Sequence, residues 1–285
     1  SLDSSSEIDS YHLTAIFDTT PPVVTPHVSP EPSVAGWNNS EVTVTWEVSD
    51  PESAILASSN CGPAIISTET SETNITCTAT SNGGSSSATV TIRLDKTNPE
   101  ITMTAPIDGA VYTVGRAINA DYECTDDLSG VDTCNGNEAT GDEIDTSTNG
   151  LKEFTVIATD NADNEASLTV EYGVGYTFSG FGAPITVLAK KFKGTSTIPV
   201  KFTLLDYFGN PFLGALATLK VCDPIGVCSP ATSSGFANIG NIFRYDFLTN
   251  QYIFSLSTKK LSIGSNSLRI DLDDGTSHFA EIIIK

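Results

Sequence analysis

Apolar residues recur at every second position in several short runs of this 285-residue chain. That period marks β-strands with one buried face. In residues 42–48, VTVTWEV, the side chains of Val42, Val44, Trp46 and Val48 share one side. Residues 74–79 and 87–94 alternate in the same way around the turn signal Ser81-Asn82-Gly83-Gly84. The plan then returns. Residues 118–124 parallel 42–48, residues 154–158 parallel 75–79, and residues 168–172 parallel 90–94. Both copies of the first strand run into an acidic turn, Asp50-Pro51-Glu52-Ser53 and Asp126-Asp127-Leu128-Ser129-Gly130. An internal period of about 77 residues, all of it strand-like, predicts tandem β-sandwiches. The domains expected are residues 21–97, 98–174 and 175–285, after an N-terminal strand and linker at 1–20.

That N-terminal strand is an anomaly. In residues 11–17, Tyr11, Leu13, Ala15 and Phe17 fall on one side, and His12, Thr14 and Ile16 on the other. The chain before it is too short to hold the sheet it needs. The following Asp18-Thr19-Thr20-Pro21-Pro22 recurs as Asp95-Lys96-Thr97-Asn98-Pro99, directly after the alternating Val90, Ile92 and Leu94. At the second site a strand closes one module and the next begins. Residues 11–17 thus sit where a preceding domain's last strand belongs. The strand could fold back on its own module, but the repeat favours donation into a neighbouring copy, against residues 175–285. Such a head-to-tail contact does not close on itself and grows a filament. Burying Tyr11, Leu13 and Phe17 would contribute roughly 5 kcal/mol gross. If residue 1 is a truncation, the strand is the remnant of a lost domain in a longer stalk.

Composition narrows the setting. The chain is 39% hydrophobic and only 17% charged, with 14 Lys and Arg against 35 Asp and Glu, a net charge of -21. Ser, Thr, Asn and Gly fill much of the remainder, as in β-rich extracellular modules. So acidic a chain is repelled by nucleic acid and anionic lipid and attracts divalent cations. No apolar run reaches membrane-spanning length. The six cysteines form three local couples, Cys61 with Cys77, Cys124 with Cys134, and Cys222 with Cys228. None has zinc-site or C-x-x-C spacing. Three short-loop disulfides in an oxidising compartment are expected, each contributing roughly 2–3 kcal/mol. Sequons at Asn38 and Asn74 make these candidate glycan acceptors.

Three stretches carry a specific resemblance. WNNSEVTVTWEVSDPESAI, LDKTNPEITMTAPIDGAVYTVGRAINADYECTDDLSGV and FTVIATDNADNEASLTVEY resemble the tandem immunoglobulin-like repeats of bacterial and archaeal secreted surface proteins. YTFSGFGAPITVLAKKFKGTSTIPVKFTL resembles the small domain named for its PxKF motif, here Pro199-Val200-Lys201-Phe202, found at the end of exported multi-module proteins. The resemblance implies an all-β chain at the cell surface, with two immunoglobulin-like sandwiches and a C-terminal sandwich-like domain. It implies no particular activity. The closing hairpin around Asp274-Gly275 fits such a domain.

Chemistry is sparse. The histidines, His12, His27 and His278, stand beside no nucleophile motif, so a non-enzymatic chain is expected. Asp271, Asp273 and Asp274 depart from calcium-loop spacing, and the hairpin turn accounts for Asp274. The joint between the two repeats is a better candidate. In an immunoglobulin-type sandwich the turns after the second and sixth strands flank the incoming linker. That would bring Asp126, Asp127, Asp160 and Asp163 near Asp95, a set of hard oxygen ligands suited to calcium. Asp and Asn also favour turns for local hydrogen-bonding reasons. The equivalent first-repeat loop, residues 81–84, has no acid. The function expected is a structural subunit of an extracellular filament or layer, partnered by other copies of itself. The alternative is an adhesive or stalk segment that binds a glycan or surface protein.

Overall fold

The computed structural model describes residues 17–185 and 189–285, and every regular helix or strand among them is a β-strand. Tyr11, Leu13 and Ala15 lie outside the described residues. Phe17 sits in irregular chain and is 80% exposed in the single copy.

The first sandwich holds β1 (Val23–Ser29), β2 (Val42–Ser49), β3 (Ala57–Ser59), β4 (Ala64–Ile66), β5 (Thr70–Ser81) and β6 (Gly84–Leu94). Its sheets run β1-β2-β4 and β3-β5-β6. The alternation of β2 puts Val42 and Val44 wholly inside, where they meet Ile92 from the opposite sheet, with Trp46, Ile66, Ile75 and Val90 around them. Outward threonines pair across strands instead, as Thr76 and Thr89 do at 2.8 Å.

The second sandwich holds β7 (Glu100–Ala105), β8 (Val111–Thr113), β9 (Asp121–Thr125), β10 (Val131–Gly136), β11 (Gly150–Asp160) and β12 (Glu165–Gly175). The sheets run β10-β11-β12-β8 and β7-β9. The strand expected at 118–124 begins only at Asp121. Residues 118–120 bond instead to residues 142–144, through Ile144 N to Ile118 O at 2.9 Å and Ala120 N to Asp142 O at 2.8 Å.

The chain divides into two compact units, and the division cuts through this second sandwich. The first unit takes the chain up to Glu100 together with Cys124–Cys134 and Ala158–Ala166. The second takes Ile101–Glu123, Asn135–Ile157 and Ser167–Lys285. The acidic turns after β9 and β11 therefore belong to the first unit.

Residues 175–285 add β13 (Thr177–Gly182), β14 (Lys190–Phe192), β15 (Thr197–Leu205), β16 (Ala217–Cys222), β17 (Cys228–Pro230), β18 (Arg244–Asp246), β19 (Gln251–Ser257), β20 (Gly264–Leu272) and β21 (Ser277–Ile284). One sheet runs β13-β15-β19-β18 and the other β14-β21-β20-β16-β17. The P-x-K-F motif is part of β15. Ile198, Val200, Phe202 and Leu204 point inward and are fully buried, while Pro199 and Lys201 face out. Phe202 stacks on Tyr252 with ring centroids 5.0 Å apart and meets Phe243 edge-on at 4.9 Å.

The cysteines are bonded as Cys61–Cys77, Cys124–Cys134 and Cys222–Cys228, and none is free. Phe202→Ala should destabilise the C-terminal domain by about 3–5 kcal/mol. Urea unfolding followed by near-ultraviolet dichroism checks this, and a loss below about 1 kcal/mol would contradict the packing described.

Candidate metal centre

β6 ends at Leu94, and the next residue, Asp95, is wholly buried. Its backbone N–H donates to the Asn38 carbonyl at 2.9 Å, and its own carbonyl accepts from Asn164 Nδ2 at 3.1 Å. Its carboxylate accepts from Thr97 N at 3.0 Å and from Ser129 N at 2.9 Å. Asp126, in the turn after β9, caps that turn through Oδ1, which accepts from Leu128 N, Ser129 Oγ and Gly130 N. Asp160 is the last residue of β11 and wholly buried. Its Oδ1 accepts from Ala162 N and Asn164 N, each at 2.8 Å, and its Oδ2 from Asn164 Nδ2 at 2.7 Å.

These three loops bring one carboxylate oxygen each of Asp95, Asp126 and Asp160 within 4.8 Å of one another. Like charges that close repel by roughly 3 kcal/mol per pair at an effective dielectric constant near 20. None of the ion pairs found among the described residues reaches any of the three. Oxygen ligands from three segments suit a hard divalent cation such as calcium. Asp127 and Asp163, expected here too, are exposed and stand outside the cluster. Asp163 instead occupies the left-handed region at φ 66°, which Asp tolerates better than most residues.

The first repeat offers an internal comparison. Asp18 stands in the place of Asp95, Asp50 in that of Asp126, and Ser81, the last residue of β5, in that of Asp160. There the third carboxylate is a hydroxyl. Asp18 Oδ2 accepts from Ser53 Oγ at 2.5 Å, Ser81 Oγ at 3.0 Å and Gly83 N at 2.6 Å, and Oδ1 accepts from Thr20 N at 3.2 Å. Gly83 is needed for that approach, since a Cβ on it would run into the Thr20 carbonyl and the Asp18 carboxylate. In the first site hydrogen-bond donors thus satisfy Asp18, while Asp50 Oδ2 is buried with no partner among the described residues. The second site has an acid where this one has a donor.

Sequence reasoning missed Asn164 and Asn161. Asn164 ties Asp160 to the Asp95 carbonyl, and Asn161 Nδ2 donates to the carbonyls of Ser129 at 2.8 Å and Gly130 at 3.0 Å. The Asp160-x-x-x-Asn164 spacing was the available signal.

One candidate is corrected. Asn38 is buried, only 4% exposed, and its side-chain amide donates to the Pro30 carbonyl at 3.0 Å, so the folded chain cannot present it to a glycan. Asn74, on β5, is exposed. Asp274 accepts from Tyr176 N and Thr276 N, and Asp271 pairs with Lys220 and Arg269, so turn and ion-pair roles account for both. His27 lies 3.6 Å from Glu47, and His278 stacks on Phe178 at 3.8 Å.

No family model matches the chain, and no curated protein matches it by sequence. Among solved structures it is similar to Sidekick-1 immunoglobulin domains 1–5, at 13% identity and a TM-score of 0.34 over 94% of this chain and 60% of that one. The N-terminal eight Ig domains of Down syndrome cell adhesion molecule align at 16% identity and a TM-score of 0.36, over 91% of this chain and 36% of that one. A tetra-tandem repeat from the extending region of a large adhesion protein aligns at 12% identity and 0.34, over 92% and 72%. At such TM-scores the likeness carries no functional weight.

The Ser53 hydroxyl above all, with the Ser81 hydroxyl and the Gly83 and Thr20 amides, holds the Asp18 carboxyl below its ordinary value of 3.8, against some loss of hydration. Its contribution to stability is therefore complete above pH 3.8 and is lost as pH falls through the lower folded value. Asp18→Asn should flatten the acid limb of the melting-temperature curve below that pH. An unchanged limb would show that these hydrogen bonds do not hold the carboxylate.

Proposed function

We propose that this chain is a non-enzymatic, extracellular structural subunit that assembles head to tail into a filament or layer. In this reading residues 11–17 enter the sheet of a neighbouring copy, and calcium stiffens the joint between residues 21–97 and 98–174. One observation carries the assembly reading. Asp18 is held by the turns of the first sandwich as Asp95 is held by those of the second. β6 runs straight into Asp95, and by that equivalence residues 11–17 are read as the last strand of a preceding sandwich. Three disulfides and no free cysteine support an oxidising, extracellular setting. So does the resemblance to surface-protein repeats and to the PxKF domain. Asn74 is then the sequon asparagine that a glycan could reach.

The second reading, an adhesive or stalk segment binding a glycan or surface protein, is favoured by apolar side chains standing free in residues 175–285, among them Phe208, Phe236, Phe247 and Leu248. Electron microscopy separates the two. Filaments are expected from the full chain and only dispersed particles from a variant lacking residues 1–18. Dispersed particles from both would overturn the assembly reading.

The calcium reading rests on the clustered acids and on the contrast with Ser81. After treatment with EDTA, titrated calcium should release or absorb heat and raise the melting temperature. At one hundred times Kd the gain is about 2.7 kcal/mol. Asp160→Ser, which copies the first repeat, should abolish both signals. No heat and no thermal shift in the unsubstituted chain would remove calcium from the account.

A further inference from the structure

Charge is spread unevenly along the chain. Residues 1–92 hold 11 Asp and Glu and no Lys or Arg, whereas residues 175–285 hold 10 of the 14 Lys and Arg and 7 of the 35 Asp and Glu. Within residues 175–285 the lysines gather at one end, around the buried Thr258. Its hydroxyl lies 2.9 Å from the carbonyl oxygens of both Lys193 and Ser196, and it accepts from Ser196 N at 2.8 Å. Gly194 N donates to the Lys285 carbonyl at 3.1 Å, and Lys285 N to the Phe192 carbonyl at 2.9 Å. Lys259 and Lys260 form the turn directly after Thr258. Lys191, Lys193, Lys259, Lys260 and Lys285 are thereby drawn together, and all five are exposed. None of the ion pairs found among the described residues reaches them. Five of the seven acids, Asp206, Asp246, Asp271, Asp273 and Asp274, lie at the other ends of the same ladders, beside Leu205, Gln251 and Leu272. Of the remaining two, Glu281 accepts from Ser265 Oγ at 2.9 Å, and Asp223 caps its own turn through the amides of Ile225 and Val227.

The entrance of the first sandwich has the opposite character. Asp18, Asp50 and Glu52 surround residues 18–20. Glu52 Oε2 accepts from Thr19 N at 2.9 Å, Asp18 Oδ1 from Thr20 N at 3.2 Å, and Asp50 Oδ1 from Glu52 N at 2.8 Å. No Lys or Arg stands within residues 1–92 to balance them, and Glu52 is exposed. Apolar side chains stand exposed at both ends. Phe17 precedes Asp18, Leu56 lies beside Thr80 through its N–H at 2.8 Å, and Ile263 follows the lysine turn.

We propose that these two ends are the halves of one interface between copies: the lysine end of one chain seats on the acidic entrance of the next. The inference rests on the head-to-tail reading and names the surfaces that meet. β21 ends among the lysines, and the chain enters the first sandwich among the acids, so the contact joins the tail of one copy to the head of another. Such a contact is heterologous and does not close on itself. Two heads or two tails would bring like charges together, so the pattern also sets the polarity of assembly. Exposed ion pairs add little affinity singly. Their part is to choose which ends meet and to speed the encounter, while the apolar side chains at both ends supply area to bury.

The test is sedimentation velocity of the full chain. Raising salt from about 0.02 M to about 0.5 M should weaken self-association roughly tenfold or more. Lys259→Glu combined with Lys260→Glu should do the same at low salt, and so should Glu52→Lys in a separate chain. Mixing the two variants should restore association, because the reversed tail of one then meets the reversed head of the other, a recovery that a folding defect cannot give. Association of either variant as strong as that of the unsubstituted chain, or no recovery from two variants with unchanged melting curves, would overturn the charged interface. Filaments indifferent to salt and to both reversals, yet lost without residues 1–18, would overturn it while leaving strand donation standing. An unsubstituted chain that stays monomeric at low salt would overturn both. Loss of binding to heparin in the lysine variant, with self-association unchanged, would assign the lysines to an acidic glycan and sink the contact between copies.

Discussion

A chain that leaves one β-sheet and enters another must carry its backbone polar groups across a gap with no ladder to receive them. At the junction between the repeats that problem falls on Asp95. Its N–H is taken by Asn38 of the domain it leaves, and its carbonyl by Asn164 of the domain it enters. The carboxylate then binds the amides of Thr97 in the linker and of Ser129 in the turn after β9. One residue thus links both sides through hydrogen bonds sheltered from water, where losing a partner costs about 1–3 kcal/mol. Burial of Asn38 follows from the same duty, which is why its sequon is closed to a glycan.

The two repeats solve this problem with different chemistry. A serine hydroxyl can donate to an aspartate, and Ser81 does so to Asp18. A carboxylate at the same place cannot, and Asp160 instead takes three donors from its own turn and Asn164. The turn following Asp160 is longer than the Asn82-Gly83 turn, and that length supplies the donors. Geometry is kept in both cases, while the centre passes from two carboxylates and a hydroxyl to three carboxylates.

Much of this was legible in the chain. Strict alternation in β2 and β6 announced both strand and buried face, because a sheet with one wet side leaves no other use for the pattern. The repeat placed Asp126 and Asp160 beside Asp95. It could not separate Asp126 from Asp127 or Asp160 from Asp163, since neighbouring residues in a turn point apart and only the turn's dihedral angles decide which turns in. The late start of β9 was equally hidden. Residues 118–120 have strand-like alternation, but they find their partner in a loop, residues 142–144, whose approach no local pattern encodes.

The disulfides have a consequence for a chain that is pulled. Their sequence separations are 16, 10 and 6 residues. At roughly 3.4 Å per extended residue, the longest withholds only about 55 Å from a repeat whose 77 residues would stretch to roughly 260 Å. Bridges this short leave most of the contour length free once a sheet gives way. Resistance to extension therefore rests on the strand ladders, while the bridges tie neighbouring points of the fold, as Cys124 on β9 is tied to Cys134 on β10 in the other sheet.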